Sequence, residues 1–159
     1  MFNEIWAIAK DGDKSCLALY EAHYSCYKYK DGRKRKKFVG PGEHLILVTP
    51  ETDALFVWRK FKDSSGQKGI NCSVFRNESD YLSSDMIKEA VSIALKKWPH
   101  AKRFYTYVNP QKIKSRNPGC CFSKAGWKKC GITKVRKLLI FEFIIPLRNA
   151  KNVRGRNRR

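Results

Sequence analysis

Two short runs of this 159-residue chain carry side chains suited to moving a proton or holding a polar substrate: His23-Tyr24-Ser25 and Tyr107-Val108-Asn109-Pro110. An imidazole ordinarily titrates near neutrality, so His23 can exchange a proton at physiological pH, or it can simply close the helix before it. Tyr24 and Ser25 place two hydroxyls beside that imidazole, with core packing as the plainer role of the Tyr24 ring. Tyr107 and Asn109 end a strand-like run, where open α/β sheets hold ligands, although Asn109-Pro110 is also turn chemistry.

A third run, "RNPGCCFSKAGWKKCG" from Arg116 to Gly131, holds three of the six cysteines. Zinc takes ligands that converge, usually cysteine pairs two to four residues apart. Cys120 and Cys121 are adjacent and point different ways on any regular element, and no C-x-x-C occurs. The thiols of Cys16, Cys26, Cys72, Cys120, Cys121 and Cys130 therefore read as free, small, buried hydrophobes. His44, Asp53 and Asp63 show no spacing that compels a metal. Arg116 and Asn117 open a short helix and can meet a phosphate or a base there, with helix capping the plainer role of Asn117; Trp127 reads as core.

The charge narrows the partner. Lys and Arg outnumber Asp and Glu by 34 to 14, for a net +20, while 42% of the residues are hydrophobic. That is a folded domain with a cationic surface, which draws polyanions by releasing their counterions. Nucleic acid is the leading partner, and a membrane surface is the alternative. The basic residues gather in a loop at 28–37, with Lys34, Arg35, Lys36 and Lys37 at its centre, around Lys112, Lys114 and Arg116, and in a tail at 148–159 that includes Arg154 and Arg156. The expectation is one domain over 1–147 followed by a disordered tail. No apolar run approaches the roughly 20 residues of a spanning helix, and the first residues lack a signal peptide's pattern, so a cytoplasmic protein without membrane contact is expected. Composition leaves the oligomeric state open.

Several elements must position these residues. A short strand falls within 3–10, and Asp11-Gly12-Asp13 leads into a helix from Lys14 to about His23, with Leu17, Tyr20 and Tyr24 on one face. Gly40-Pro41-Gly42 precedes a hairpin of two strands near 44–49 and 54–61, and "INCSVFR" makes another strand. Ile87, Ala90, Val91, Ala94, Leu95 and Trp98 form the apolar stripe of a helix over Ser84–Trp98, capped by Ser83 or Ser84. The strand "RFYTYV", a short helix from about Pro118 to Lys124, and the strand "KLLIFEFII" complete an α/β chain.

From Leu45 to Phe143 this order resembles the GNAT acyltransferase superfamily. "INCSVFRNESDYLSSDMIKEAVSIALKKW" matches its strand, phosphate-binding loop and helix, and "FSKAGW" is similar to the signature that ends its short helix. More narrowly, "HYS", "FVGPG", "YVNP" and "RNPG-x-x-F-x-x-AGW" resemble phage-encoded GNAT-like proteins related to the Mom DNA-modification protein. The resemblance implies a single domain with a mixed, mostly antiparallel central sheet flanked by helices. It implies a small acyl-type group carried to the exocyclic amine of adenine, shielding phage DNA from restriction. It also implies acetyl-CoA or another acyl donor bound near Phe75, Ser83, Ser84, Asn117 and Phe122, with His23, Tyr24, Ser25, Tyr107 and Asn109 around the reacting amine.

Two positions depart from the family's pattern. The loop from Asn77 to Ser84 contains no glycine, and Phe122 stands where many members carry a tyrosine acid. Two rival expectations follow: a nucleic-acid-binding protein that keeps the fold without catalysis, and an acyltransferase acting on RNA or on a protein amine.

Overall fold

The computed structural model describes residues 5–24, 26, 28–62, 64–113 and 116–146. Ser25, Lys114 and the tail with Arg154 and Arg156 lie outside the described residues. Seven strands form one mixed sheet. In chain order they are β1 (Ala7–Ala9), β2 (Glu43–Val48), β3 (Ala54–Lys60), β4 (Ile70–Asn77), β5 (Arg103–Val108), β6 (Lys128–Ile132) and β7 (Leu139–Ile144). They lie side by side as β1-β2-β3-β4-β5-β7-β6. Only β4 and β5 pair in parallel; the other neighbours run antiparallel.

Alternation along the strands sorts side chains to two faces, as a two-residue period requires. On β3, Ala54, Phe56 and Trp58 enter the larger core, whereas Leu55 and Val57 enter a smaller one on the opposite face. The larger core is closed by α2 (Ser83–Lys97) and α3 (Cys120–Lys124), the smaller by α1 (Lys14–Glu21) together with Phe38. Two indoles pin α2 to the sheet side, for Trp6 Nε1 donates to the Met86 carbonyl at 2.8 Å and Trp58 Nε1 to the Ala90 carbonyl at 3.0 Å. Each such buried bond satisfies a polar atom that would otherwise cost about 1–3 kcal/mol.

The structure shifts several sequence-based boundaries. The buried face of α1 is Cys16, Leu19 and Tyr20, one step round from the expected stripe, and Tyr24 lies beyond the helix. Asp13 caps α1 by accepting from the Ser15 and Cys16 amides at 3.0 and 3.1 Å. The first residue of α2 is Ser83, and its N-cap is Leu82, with no side-chain cap. Ser83 instead accepts a hydrogen bond from Asn77, and Ser84 is buried against the core. The N-cap of α3 is Gly119 and not Asn117. Gly119 is required twice over: its φ is +82°, and a Cβ there would run into the Phe141 ring. The strand β6 is an addition that no periodicity announces, because "KKCGI" is almost wholly exposed and is held by ladder bonds to β7.

Candidate active site

The site is created by a fault in the sheet. Trp58 of β3 pairs with Cys72 and its neighbour Val57 pairs with Val74, so Ser73 bulges out of β4 without a partner on β3. A bulge bends its strand and strengthens the local twist. The parallel pairing of β4 with β5 ends at this same level, at Cys72 and Thr106, where the Thr106 hydroxyl donates to the Cys72 carbonyl at 2.9 Å. Yet β4 runs on to Asn77 and β5 to Val108. Beyond the last pair the two strands part, and a cavity of about 770 Å³ opens between them.

The wedge passes through the sheet. Its lining includes Phe75, Val108, Cys121 and Phe122 from the α2–α3 side, and Asn71, Tyr107, His23 and Tyr24 toward the α1 side. Phe122 is buried and meets Phe75, Trp127 and Phe141 edge-on or tilted, with ring centroids 4.9–6.4 Å apart, so one wall is apolar and tightly packed. The opposite mouth is polar. On that side Asn71 lines the cavity, with its Oδ1 enclosed and without a hydrogen-bond partner.

His23 and Tyr24 follow the end of α1, where Arg76 of β4 donates to the Ala22 carbonyl at 2.9 Å and ion-pairs with Glu78. This contact swings the two rings into the mouth of the wedge, 4.3 Å apart between centroids. Burial, reinforced by the nearby Arg76 charge and opposed by a hydrogen bond to the Phe75 backbone, lowers the His23 pKa to about 4. The imidazole is therefore neutral at physiological pH and able to accept a proton from a strong acid. Burial raises the Tyr24 pKa, the Asn109 backbone opposing it by hydrogen bonding. Tyr24 thus keeps its proton and holds it at the end of β5, beside Asn109.

Of the sequence-predicted residues, His23, Tyr24, Tyr107, Asn109, Phe75 and Phe122 meet in one cavity. Ser83, Ser84 and Asn117 do not line it. Cys72 and Cys121 do, and sequence reasoning passes over them because a buried cysteine reads as filler; burial raises both thiol pKa values, Cys72 to well above the ordinary range. Cys130, by contrast, is exposed rather than buried. Among the described residues, no group of three or more His, Cys, Asp or Glu is placed to hold a metal ion. No helix among them is long and apolar enough to cross a membrane.

The basic loop sits on the α1 side. Arg35 lies over both Tyr20 and Tyr29, at 5.1 and 5.0 Å from their ring centroids, and Arg33 lies over Tyr29 at 4.7 Å. Phe38 stacks on Tyr20, and its amide donates to Asp11 at 2.8 Å. Anchored in this way, the loop leaves Lys34, Lys36 and Lys37 exposed. Lys112 and Arg116, exposed as well, belong to the segment that follows β5.

Comparison with known proteins gives the following. No family model matches the chain, and no curated protein matches it. Among solved structures, a GNAT-family acetyltransferase from Bacillus anthracis aligns with a TM-score of 0.45 and 12% identity, covering 64% of this chain and 65% of that one, just under two thirds of its length. An aminoglycoside acetyltransferase in complex with coenzyme A aligns with a TM-score of 0.48 and 13% identity, covering 70% and 69%. At such scores neither likeness bears on what this chain binds or acts on. The wedge and its residues carry that question.

An acyl donor fits the wedge in part. The space suits an acyl group, and the edge of β4 beyond Cys72, no longer paired to β5, offers backbone groups to an amide-bearing arm. The loop between β4 and α2, at the start of a helix where a diphosphate such as coenzyme A carries could be held, contains no glycine.

Proposed function

We propose that this chain is an acyltransferase that carries a small acyl group to an exocyclic amine of a nucleic-acid base, that of adenine in double-stranded DNA. The observation that carries the reading is the wedge between β4 and β5, apolar where Phe75 and Phe122 line it and polar at His23, Tyr24 and Asn71. An acyl group lodged against Phe75 and Phe122 and a base held at the polar mouth would meet at His23 and Tyr24. The resemblance to phage-encoded relatives of the Mom DNA-modification protein supports the same direction, with protection of phage DNA from restriction as the biological role.

In the reaction the amine nitrogen attacks the acyl carbonyl carbon, and the bond from that carbon to the leaving atom breaks. After attack the nitrogen bears positive charge and is acidic, so even an imidazole with a pKa of about 4 is basic enough to help remove its proton. Tyr24, kept protonated by burial, carries the hydroxyl for the complementary role, in which it donates a proton to the departing atom. Tyr24, reaching in from the α1 side, thereby acts where Phe122 has no hydroxyl to offer.

The basic loop supplies phosphate contacts that hold the duplex without reading its sequence. An adenine must leave the stack to reach the wedge, which costs a few kcal/mol for each extruded base. Co-expression with plasmid DNA, digestion to nucleosides and mass spectrometry test the proposal. An adenosine adduct that vanishes in His23→Ala or Asn109→Ala is expected. Unmodified DNA with tight, salt-sensitive binding would replace this reading with a non-catalytic binder, and modified RNA or acylated protein would move the acceptor.

A further inference from the structure

We infer that the wedge selects its acyl donor by the acyl end and the adjoining arm, and that the start of α2 does not hold a diphosphate. The inference rests on the acyl-transfer reading and concerns the donor alone.

A helix start binds phosphate when its backbone N–H groups are free and its surroundings are not anionic. In the loop between β4 and α2 the amides of Glu78, Ser79 and Tyr81 are occupied from within the protein. Asn77 organises it: Nδ2 donates to the Tyr81 carbonyl and to Ser83 Oγ, each at 2.9 Å, while Oδ1 accepts from the Ser79 amide at 2.9 Å and from the Ser79 hydroxyl. The Tyr81 amide donates to Ser79 Oγ at 3.2 Å, the Glu78 amide to the Asp53 carbonyl at 2.8 Å, and the Asp85 and Met86 amides to the Leu82 carbonyl at 3.0 and 3.1 Å. Asn77 and Ser79 thus tie together a loop that contains no glycine.

Charge acts in the same direction. Glu78, Asp80 and Asp85 stand exposed on this loop and the first turn of α2, on a chain with only 14 acidic residues in all. The guanidinium nearest in sequence, Arg76, is ion-paired to Glu78. Leu82, the N-cap, is 62% exposed over the helix start. The other cation lining the wedge, Arg136, comes from the turn between β6 and β7 on the β5 side. A diphosphate placed at α2 would meet the exposed carboxylates of Glu78, Asp80 and Asp85.

Two thioesters that share an acyl group and arm separate the cases: S-acetylpantetheine, without a diphosphate, and acetyl-CoA, with one. Their affinities for the full chain are measured by calorimetry at raised salt, which screens the overall positive charge. Dissociation constants within about threefold of each other are expected. Acetyl-CoA binding tenfold tighter or more would overturn the inference, and binding of neither thioester would overturn the acyl-donor reading beneath it. The variant Asp80→Asn supplies an independent check. At low salt it should strengthen acetyl-CoA binding about two- to threefold and leave S-acetylpantetheine unchanged, as expected for removing one exposed like charge. Equal, unchanged affinities for acetyl-CoA in both proteins would contradict the electrostatic part of the account.

Discussion

On the α2–α3 side of the sheet the wedge is walled by Phe75, Phe122 and neighbours that belong to the larger core, so the side chains that shape it also hold the fold together. On the α1 side the core is smaller, and His23 and Tyr24 at the mouth hang from the end of a helix, while the basic loop beside that core is fixed by arginine–tyrosine contacts. The first wall is rigid and apolar, suited to one small donor. The second is polar, cationic and built from connections, where function commonly resides because few packing constraints act there. Substitutions on the two sides should accordingly fail in different ways.

The largest effect is expected on the packed side. Gly119→Val forces a β-branched residue to a φ of +82° and drives its side chain into Phe141, which should cost about 3 kcal/mol or more of stability in urea unfolding. Phe122→Ala should cost a similar amount, about 3–5 kcal/mol, through the cavity left among Phe75, Trp127 and Phe141. On the other side, Tyr24→Phe should leave unfolding within about 1 kcal/mol of the parent while slowing acyl transfer about 100-fold, the usual scale for losing a positioned proton donor. A Tyr24 variant that unfolds while keeping its activity would erase the contrast between the walls.

Smaller effects sharpen the comparison. Replacing Lys34, Lys36 and Lys37 with alanine should lower the salt slope of duplex binding by about 2–3 units, near 0.9 for each phosphate no longer neutralised. The unfolding free energy should hardly move, since exposed charges contribute little.

His23 adds a pH signature. Its folded pKa of about 4 lies below the ordinary value of 6.5, so between those values the unfolded chain binds the extra proton. Stability contributed by keeping His23 neutral is complete above about pH 6.5 and is lost as pH falls toward 4. In His23→Gln the part of the stability-against-pH slope owed to this group should disappear. Smallest of all, Cys130→Ser should change stability by less than about 0.5 kcal/mol, because the thiol is exposed.

Much of this arrangement is legible in the sequence, and the limits have physical causes. The stripe on α2 and the runs forming β3, β4, β5 and β7 are written in side-chain periodicity because each buries a face. The strand β6 buries almost nothing, so it leaves no such mark. His23, Tyr24, Tyr107 and Asn109 can be named from residue type and place in the chain. Their meeting depends on the bulge at Ser73, a backbone event without a composition signal. For the same reason Cys72 and Cys121 look like filler until the splay of β4 from β5 turns them toward a cavity. The missing glycines between Asn77 and Ser84 are visible in the sequence, but the hydrogen bonds by which Asn77 ties that loop together are not.

The central claim is that a nucleic-acid base enters the wedge from the α1 side. Photo-crosslinking with duplex DNA that carries an azido-adenine, followed by peptide mass spectrometry, tests it most directly. The account predicts base adducts on His23, Tyr24 or Tyr107, lost when the wedge is narrowed by Asn71→Trp. Adducts confined to the basic loop at 28–37, with none in the wedge, would contradict it.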